Sequence, residues 1–310
     1  MNNTAAIASN LTSFQKENIE PNPLAEDGNL PRRIRSEKYT RWFLISLATM
    51  TILFLVAIIS DVFYEGFHYL DWQFITSFPS RFYEKSGIYP ALLGTVWLVG
   101  LALAVSIPIS VGAAIYLEEI APPSKFKSII DINIANLAGV PSIVYGILGL
   151  AVFVRFFSLD RSLLAGGFTL GLLVLPIMIS TCREALAAVP NAIKQAALCL
   201  GASKIETIFY QVLPIALPSM LSGVILSVSR IIGETAPLLI IGAASYISYV
   251  PESVFDEFSA IPIQIYNWAA RPQQEFHLLA ASGIVVLLVV VFIFNISAIV
   301  IRNKYTGRRL

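Results

Sequence analysis

The chain has little charge, and this scarcity excludes most soluble proteins. Only 13% of its 310 residues are charged, whereas 56% are hydrophobic. Soluble proteins carry roughly 25% charged residues, so the composition predicts an integral membrane protein in contact with lipid. The net charge of +1 gives no reason to expect a nucleic-acid partner.

The sequence also lacks the motifs of several enzyme classes. It contains no G-x-x-x-x-G-K-[ST] loop for nucleotide phosphates, no G-x-S-x-G nucleophile elbow and no H-E-x-x-H zinc motif. The two histidines, His68 and His277, stand far apart, and the two cysteines, Cys182 and Cys199, do not have zinc-site spacing. We therefore expect no catalytic residue, no bound metal, no cofactor and no ATP hydrolysis by this chain.

Long apolar runs are what the sequence does contain. A helix needs about 20 apolar residues to cross a bilayer, and six runs approach or exceed that length. The first follows a polar segment, residues 1–40, which we expect to be a disordered tail, and it is long enough to be an uncleaved anchor. The predicted spans of this all-α polytopic protein are Trp42–Phe63, Ala91–Leu117, Ile129–Phe157, Leu163–Thr181, Val212–Ile241 and Leu278–Ile301.

The distribution of Lys and Arg predicts the orientation. Six spans place both termini on one side, and 15 of the 21 Lys and Arg residues then fall on that side, five on the other and Arg230 within the membrane. Because cytoplasmic loops carry the excess of positive residues, we expect both termini to be cytoplasmic. The chain then divides into the tail (1–40), a first helix with its outer loop (41–90) and a core (91–305) that includes an inner loop, residues 183–211.

A polar stripe marks the fifth predicted span. Arg230 lies near the middle of this run, where an Arg costs roughly 2.5–3.5 kcal/mol on insertion scales and should therefore face protein or water. Small and polar residues at intervals of four and three share its helical face, which we interpret as a solute path. The alternative is an internal Arg–Glu pair that only allows the helix to exist in lipid. The stripe consists of Gly223, Ser227, Arg230, Glu234 and Pro237.

Small residues and prolines mark other runs. In the third run, Gly139, Ser142, Gly146 and Gly149 recur at helical spacing, which predicts close approach of a second helix, unless glycine is there only because it is common in membrane helices. A proline inside a run removes a backbone hydrogen bond and predicts a kink. Such prolines occur at Pro108, Pro141, Pro176 and Pro237.

The inner loop is the second informative segment. Pro190–Leu200 has apolar residues at helical spacing, and Gly201 predicts the end of that helix. A second short helix is expected over Ser203–Tyr210. The pair is either a projecting element to which a soluble partner docks or an amphipathic pair lying on lipid headgroups.

These segments carry a family resemblance. QAALCLG at Gln195–Gly201 with VLP at Val212–Pro214 resembles the E-A-A-x3-G-x9-I-x-L-P docking loop of ABC-importer membrane subunits, with Gln195 and Gln211 in place of its Glu and Ile. RIIGETAPLL from Arg230, GVPSIVYG from Gly139 and PIQIYNWAARPQ from Pro262 resemble the phosphate-specific importer permease, the PstA type. The resemblance covers about residues 91–301.

The resemblance implies a fold, a function and partners. The fold would be that of a type I ABC importer permease (MetI-like), and the function ATP-driven import of inorganic phosphate. The partners would be a second permease subunit, two copies of a cytoplasmic ATPase and an extracytoplasmic phosphate-binding protein. The residues that would contact the ATPase are Gln195, Ala196, Ala197, Gly201, Leu213 and Pro214.

Phosphate suits the chemistry of the stripe, although other functions remain open. The guanidinium of Arg230 stays protonated and makes bidentate bonds to an oxyanion, while Glu234 would either hold and partly neutralise it or accept a hydrogen bond from a P–OH group. The alternatives are a permease for another oxyanion such as sulfate or phosphonate, a proton-coupled carrier or channel, and a receptor or scaffold. The inner loop argues against the carrier, and Arg230 argues against the scaffold.

Overall fold

Helices make up nearly all of the structure, which confirms the all-α fold. The computed structural model describes residues 30–243 and 246–306, and within these it contains no β-strand, only an isolated bridge between Ser162 and Glu257. The helices are α1 (Leu30–Gly66), α2 (Trp72–Thr76), α3 (Tyr89–Ile115), α4 (Lys125–Ala138), α5 (Ser142–Gly149), α6 (Leu163–Ala187), α7 (Asn191–Cys199), α8 (Lys204–Thr207), α9 (Leu213–Gly233), α10 (Ala236–Ile241), α11 (Ile261–Ala269) and α12 (Gln274–Thr306).

Five segments of the described chain are long and apolar enough to cross a membrane, or six if the bent pair α4–α5 counts as one span. The predicted second, fourth and sixth spans lie within α3 and its following turn, α6 and α12. The chain clusters into two units, residues 1–60 and 61–310. The first unit contributes most of α1, whose side chains from Ser36 to Ser60 are exposed.

The first helix begins earlier than predicted. α1 starts at Leu30, so residues 30–40 are helical where a disordered tail was expected, and residues 1–29 of that tail lie outside the described residues. Arg, Lys and Glu are frequent between Leu30 and Arg41, and they are good helix formers that can extend the apolar helix beyond the lipid.

The kink predicted at Pro141 in the third run is confirmed, and it is a sharp bend. The segment consists of α4 and α5, which meet at 102°. Pro141 lacks an N–H and disfavours helical backbone at the preceding residue, so the helix ends at Ala138 and a new one begins at Ser142. The Tyr145 hydroxyl donates to the carbonyl of Leu137 at 2.8 Å and so joins the two arms of the bend.

The fifth predicted span is also interrupted. α8, a π-helical turn (Ile208–Val212) and α9 form one long helix that stops at Gly233, and α10 starts separately at Ala236. The cause is Pro237, since its missing N–H would have bonded to the carbonyl of Gly233 and its ring would clash with that carbonyl. Arg230 therefore lies in the last turn of α9, and the prediction that Glu234 and Pro237 continue its helical face is wrong.

α6 is the central helix of the second unit. It contains buried residues along most of its length and packs against α3, α4, α5 and α9. Its N-terminal half shares a buried cluster with the end of α9, through Val174 and Ile231, whereas its C-terminal end shares another with the start of α9, through Leu186 and Val212. α6 and α9 are therefore antiparallel. α6 runs to Ala187, beyond the predicted end at Thr181, so the inner loop is shorter than expected.

Candidate functional site

Arg230 and Glu234 form an ion pair where α9 ends. Nε of Arg230 lies 3.4 Å from Oε1 of Glu234, and the side chains of Arg230 and Glu234 are 38% and 16% exposed. Glu234 follows the helix in extended conformation, so it reaches Arg230 from outside the helix. The negative end of the helix dipole also stabilises a cation in the last turn. The pair is thus fixed in position but only partly shielded.

The packing of α9 against α6 gives the level of Arg230 within the fold. Gly223 lies against the side chain of Thr181 on α6. Seven residues further along α9, or about 10 Å at 1.5 Å per residue, Arg230 is level with Val174, close to the middle of α6. The cation therefore lies deep relative to the neighbouring span, although it is at the end of its own helix.

Gly223 and Ser227 of the stripe are placed differently. Ser227 is buried and donates to the carbonyl of Gly223 at 3.0 Å, and buried Gly223 lets α6 approach closely. Gly223 belongs to the contact between α6 and α9 and Ser227 is buried one turn further on, whereas Arg230 and Glu234 are partly accessible. Gly223 also borders a cavity of about 370 Å³, which Glu184, Ser219 and Ser222 help to line.

α10 is held against α5 at a glycine. A Cβ on Gly146 would lie 2.7 Å from the Cα of Pro237 and 3.1 Å from the Cβ of Ile240, so only glycine allows this approach. A Cβ on Gly149 would collide with Thr169 of α6. The close packing predicted from the small residues of the third run is confirmed for these two glycines. Gly139 instead ends α4 and makes no such contact.

The inner loop contains the predicted helix, glycine stop and second helix. α7 ends at Gly201, whose φ is +90°. The N–H of Gly201 donates to the carbonyl of Leu198 and that of Ala202 to the carbonyl of Ala197, at 3.0 and 3.1 Å, which is the Schellman pattern. Gly201 is therefore confirmed as the helix terminator. We call α7, α8 and the segment between them the docking element.

A capping box starts α8. The N–H of Glu206 donates to Oγ of Ser203 at 3.3 Å, and the N–H of Ser203 donates to Oε2 of Glu206 at 2.8 Å. These reciprocal bonds satisfy two amide groups at the helix start without any contact to the rest of the protein.

The docking element presents apolar side chains to its surroundings. Leu200 is 89% exposed, and large apolar residues nearby are also exposed: Leu198, Ile205, Phe209 and Tyr210. Of the predicted contact residues, Gln195, Ala196 and Gly201 are exposed, Ala197 is half-buried, and Leu213 and Pro214 are half-buried at the start of α9. A groove of about 450 Å³ runs along the element between Ala197 and Tyr210.

A set of ion pairs next to the docking element was missed by sequence reasoning. Nζ of Lys194 on α7 lies 2.6 Å from Oε1 of Glu119, and Arg183 on α6 lies 2.8 Å from Asp131 and 3.4 Å from Glu118. The partners are separated by 52 to 75 residues along the chain. No local pattern relates them, so only the fold reveals these pairs.

The segment that precedes α11 is folded against the core. The N–H groups of Leu163 and Leu164 donate to the carbonyls of Asp256 and Val254 at 3.0 and 2.8 Å, and Phe258 is fully buried. Partial burial raises the pKa of the Tyr249 hydroxyl, and the nearby carboxylates of Glu257 and Asp256 raise it further. Within residues 30–243 and 246–306, no three His, Cys, Asp or Glu residues are grouped to hold a metal.

A protein-family comparison matches most of the chain. Residues 106–306 match the model described as "Binding-protein-dependent transport system inner membrane component". Among curated proteins, a phosphate transport system permease protein PstA 1 of Mycobacterium tuberculosis is 32% identical over 232 residues, covering 74% of this chain and 75% of that protein. The PstA of Mycobacterium leprae is 30% identical, covering 89% of this chain and 91% of that protein.

Solved structures with the same fold are more distant in sequence. A bacterial alginate ABC transporter, solved with its alginate-bound periplasmic protein, matches with a TM-score of 0.59 at 16% identity, over 86% of this chain and 96% of that one. An inward-facing MetNI methionine ABC transporter matches with a TM-score of 0.55 at 16% identity, over 71% and 94% of the two chains. These likenesses confirm the type I ABC importer permease fold.

Proposed function

Because this chain belongs to the family of binding-protein-dependent transport system inner membrane components, we propose that it is the permease subunit of an ATP-driven importer for inorganic phosphate. It is a multi-pass inner-membrane transport component and not an enzyme in its own right. The observation that carries the choice of substrate is the accessible Arg230, paired with Glu234 level with the middle of α6.

Arg230 has the chemistry that an anion path requires. Its guanidinium presents several donors in a fixed plane, stays charged at any physiological pH and makes bidentate bonds to an oxyanion. Phosphate moving into a negative interior costs about 2.3 kcal/mol per charge per 100 mV, so import must be driven. Glu234 keeps the site weak between transport events, because a tight site would trap the ion. Gly223 and Ser227 position α9 beside the path by packing it on α6.

The partners follow from the same proposal. A second permease subunit completes the path, two copies of a cytoplasmic ATPase bind the docking element through Gln195, Ala196, Ala197, Gly201, Leu213 and Pro214, and a phosphate-binding protein meets the outer loops. The exposed apolar side chains of Leu198 and Leu200 support the docking role. Both termini are cytoplasmic in this arrangement, as the Lys and Arg distribution indicates.

Substitution of Arg230 tests the phosphate path directly. The complete complex is reconstituted in vesicles, and uptake of labelled phosphate is measured with ATP supplied on the ATPase side. Arg230→Gln should reduce uptake to background while the subunits still co-purify. Arg230→Lys should retain part of the uptake, because it keeps the charge but loses the planar fork. Arg41→Gln, at an exposed Arg of α1, is the matched control. Normal uptake by Arg230→Gln would remove this residue from the path.

Two further measurements separate the alternative functions. Excess sulfate or phosphonate should compete poorly with labelled phosphate, and strong competition by either would indicate a permease for that oxyanion. Uptake by this chain in the absence of ATP and of the ATPase would indicate a secondary carrier or channel. Absence of any flux with every subunit present would indicate a receptor or scaffold.

A further inference from the structure

α7 has almost no hydrophobic attachment to the membrane core. None of its residues, Asn191 to Cys199, is buried, and its main helix contacts are with α8 and the π-helical turn that follows. The buried cluster at this end of the protein joins α3, α6 and α9 through residues such as Ala114, Leu186 and Ala216, but it includes no residue of α7. Apolar burial therefore holds α7 only through neighbouring segments of the chain and not through its own side chains.

An ion pair provides the missing attachment. Nζ of Lys194, in the middle of α7, lies 2.6 Å from Oε1 of Glu119, whose side chain is only 8% exposed. Glu119 lies in the π-helical turn Tyr116–Ile120 that continues α3. A shielded, short ion pair of this kind holds geometry better than a fully exposed pair, which contributes little.

The neighbouring carboxylate makes a second attachment from the same turn. Glu118 lies 3.4 Å from Nη2 of Arg183 on α6, and Nη1 of the same guanidinium lies 2.8 Å from Oδ1 of Asp131 on α4. These three side chains are between 21% and 32% exposed. The turn after α3 is therefore attached to two helices. Glu119 binds α7, and Glu118 binds Arg183, which also binds α4.

Further contacts connect α4 to the Arg230 site. α4 is joined across the 102° bend to α5 by the Tyr145 hydroxyl, and α5 meets α10 where Gly146 contacts Pro237. Pro237 lies three residues after Glu234, the partner of Arg230. A displacement of α7 therefore has a continuous series of polar and close-packed contacts through which it can reach the path.

We propose that Glu118 and Glu119 are positioning residues that couple the docking element to the Arg230 site. In this role Glu119 carries movement of α7 to the turn after α3, and Glu118 carries it through Arg183 to α4 and the bent pair. The inference rests on the proposed transport function. Its distinct claim is that breaking these pairs separates ATP hydrolysis from transport without separating the subunits.

The test measures phosphate imported per ATP hydrolysed by the complete complex in vesicles, together with co-purification of the ATPase. Glu119→Gln and Lys194→Gln should each lower that ratio by about fivefold or more, the usual lower range of coupling between sites, while the ATPase still co-purifies. The double variant should be no worse than either single variant, and the charge exchange Glu119→Lys with Lys194→Glu should restore part of the ratio. Glu184→Gln is the matched control, since it removes an exposed carboxylate of the same region that forms no ion pair with any described residue.

The outcomes separate this inference from the proposed function. If the unaltered complex imports phosphate and Glu119→Gln imports as much per ATP, the coupling role is wrong while the transport function stands. If the ATPase no longer co-purifies with Glu119→Gln, or if the charge exchange restores nothing, the pair supports structure only and the inference fails. If the unaltered complex imports no phosphate, the proposed function fails first.

Discussion

The Arg230 site and the docking element are built in opposite ways. Around Arg230 the helices pack closely at glycines, with the backbone of Pro237 against Gly146 and the side chain of Thr181 against Gly223. In the docking element, α7 buries no residue, and its shape comes from local hydrogen bonds at Gly201 and Ser203. Close packing fixes the position of a charge that must lie at depth, whereas local capping lets an exposed element keep its shape while its position changes.

This difference predicts two separate classes of variant. Changes near Arg230 should reduce transport while the ATPase still binds, because they act on the path. Changes that alter the shape of the docking element should weaken ATPase binding first and reduce transport only as a result, whereas Lys194→Gln keeps that shape and is expected to act on coupling alone. A variant near Arg230 that releases the ATPase would contradict this distinction.

After the loss of Arg230 itself, the largest effect is expected from Glu234→Gln. The substitution removes the charge that lies 3.4 Å from Nε of Arg230, and phosphate uptake should fall about tenfold, which corresponds to about 1.4 kcal/mol. If Glu234 mainly holds Arg230, uptake of every transported oxyanion should fall equally. If it accepts a hydrogen bond from the P–OH group, discrimination against sulfate should fall as well. Vesicle uptake of labelled phosphate and sulfate distinguishes these two duties, and unchanged uptake of both contradicts the role of the pair.

Gly146→Ala should be the next most damaging change. Its Cβ would lie 2.7 Å from the Cα of Pro237, so the backbone of α10 must shift, and overpacking of this kind costs about 1–3 kcal/mol. Thermal unfolding of the purified complex should move to lower temperature, and uptake should fall with the ATPase still bound. Gly112→Ala is the control, because its Cβ would meet no atom within 4 Å. Equal stability of the two variants would show that the contact has no role.

Gly201→Ala should affect the docking element alone. Its φ of +90° disfavours a side chain, although a Cβ would meet no atom within 4 Å, so the cost of about 1–2 kcal/mol comes only from the backbone. Co-purification of the ATPase should decrease, and Gly201→Asn should retain more binding than Ala because Asn tolerates this conformation. Equal recovery with Gly, Asn and Ala would contradict the need for the helix stop.

The smallest effect is expected from Ser203→Ala. The variant removes the side chain that caps α8, and loss of such a cap costs about 0.5–2 kcal/mol. Amide hydrogen exchange should become faster in α8 and remain unchanged near Arg230. Ser219→Ala, at an exposed serine of α9, should leave exchange in α8 unaffected. Faster exchange at both sites would show that the docking element is not independent of the core.

The features that could be predicted from the sequence are those that depend on residues close together in the chain. Gly201 followed by Ser203 and Glu206 predicts a helix stop and a new start, and both are present. The apolar lengths of α3, α6 and α12 predict spans in the same way. The interruption at Gly233 follows from Pro237 four residues later, but an apolar run alone does not distinguish a kink, which is what was predicted, from a complete break.

Features that depend on residues far apart in the chain could not be predicted from the sequence. The ion pairs of Glu118 and Glu119 join segments that are 65 and 75 residues apart, and nothing near Arg183 or Lys194 in sequence identifies these partners. The helical spacing of Gly223 and Ser227 with Arg230 correctly relates neighbours along α9. It does not show that α6 covers the first two and leaves Arg230 accessible, because that depends on which helix packs against α9.

The early end of α9 has a consequence for water. The last carbonyl groups of a helix have no N–H partner within it. At the end of α9, the N–H of Glu234 donates to the carbonyl of Ile231 at 3.2 Å, and Gly233 is exposed. Lipid chains have no hydrogen-bond donor for the other carbonyl groups of this last turn. Irregular backbone within a membrane therefore requires surrounding protein or a hydrated crevice. The exposed peptide groups at Gly233 therefore need donors from a partner subunit or from water, and this need persists whichever side chain occupies position 230.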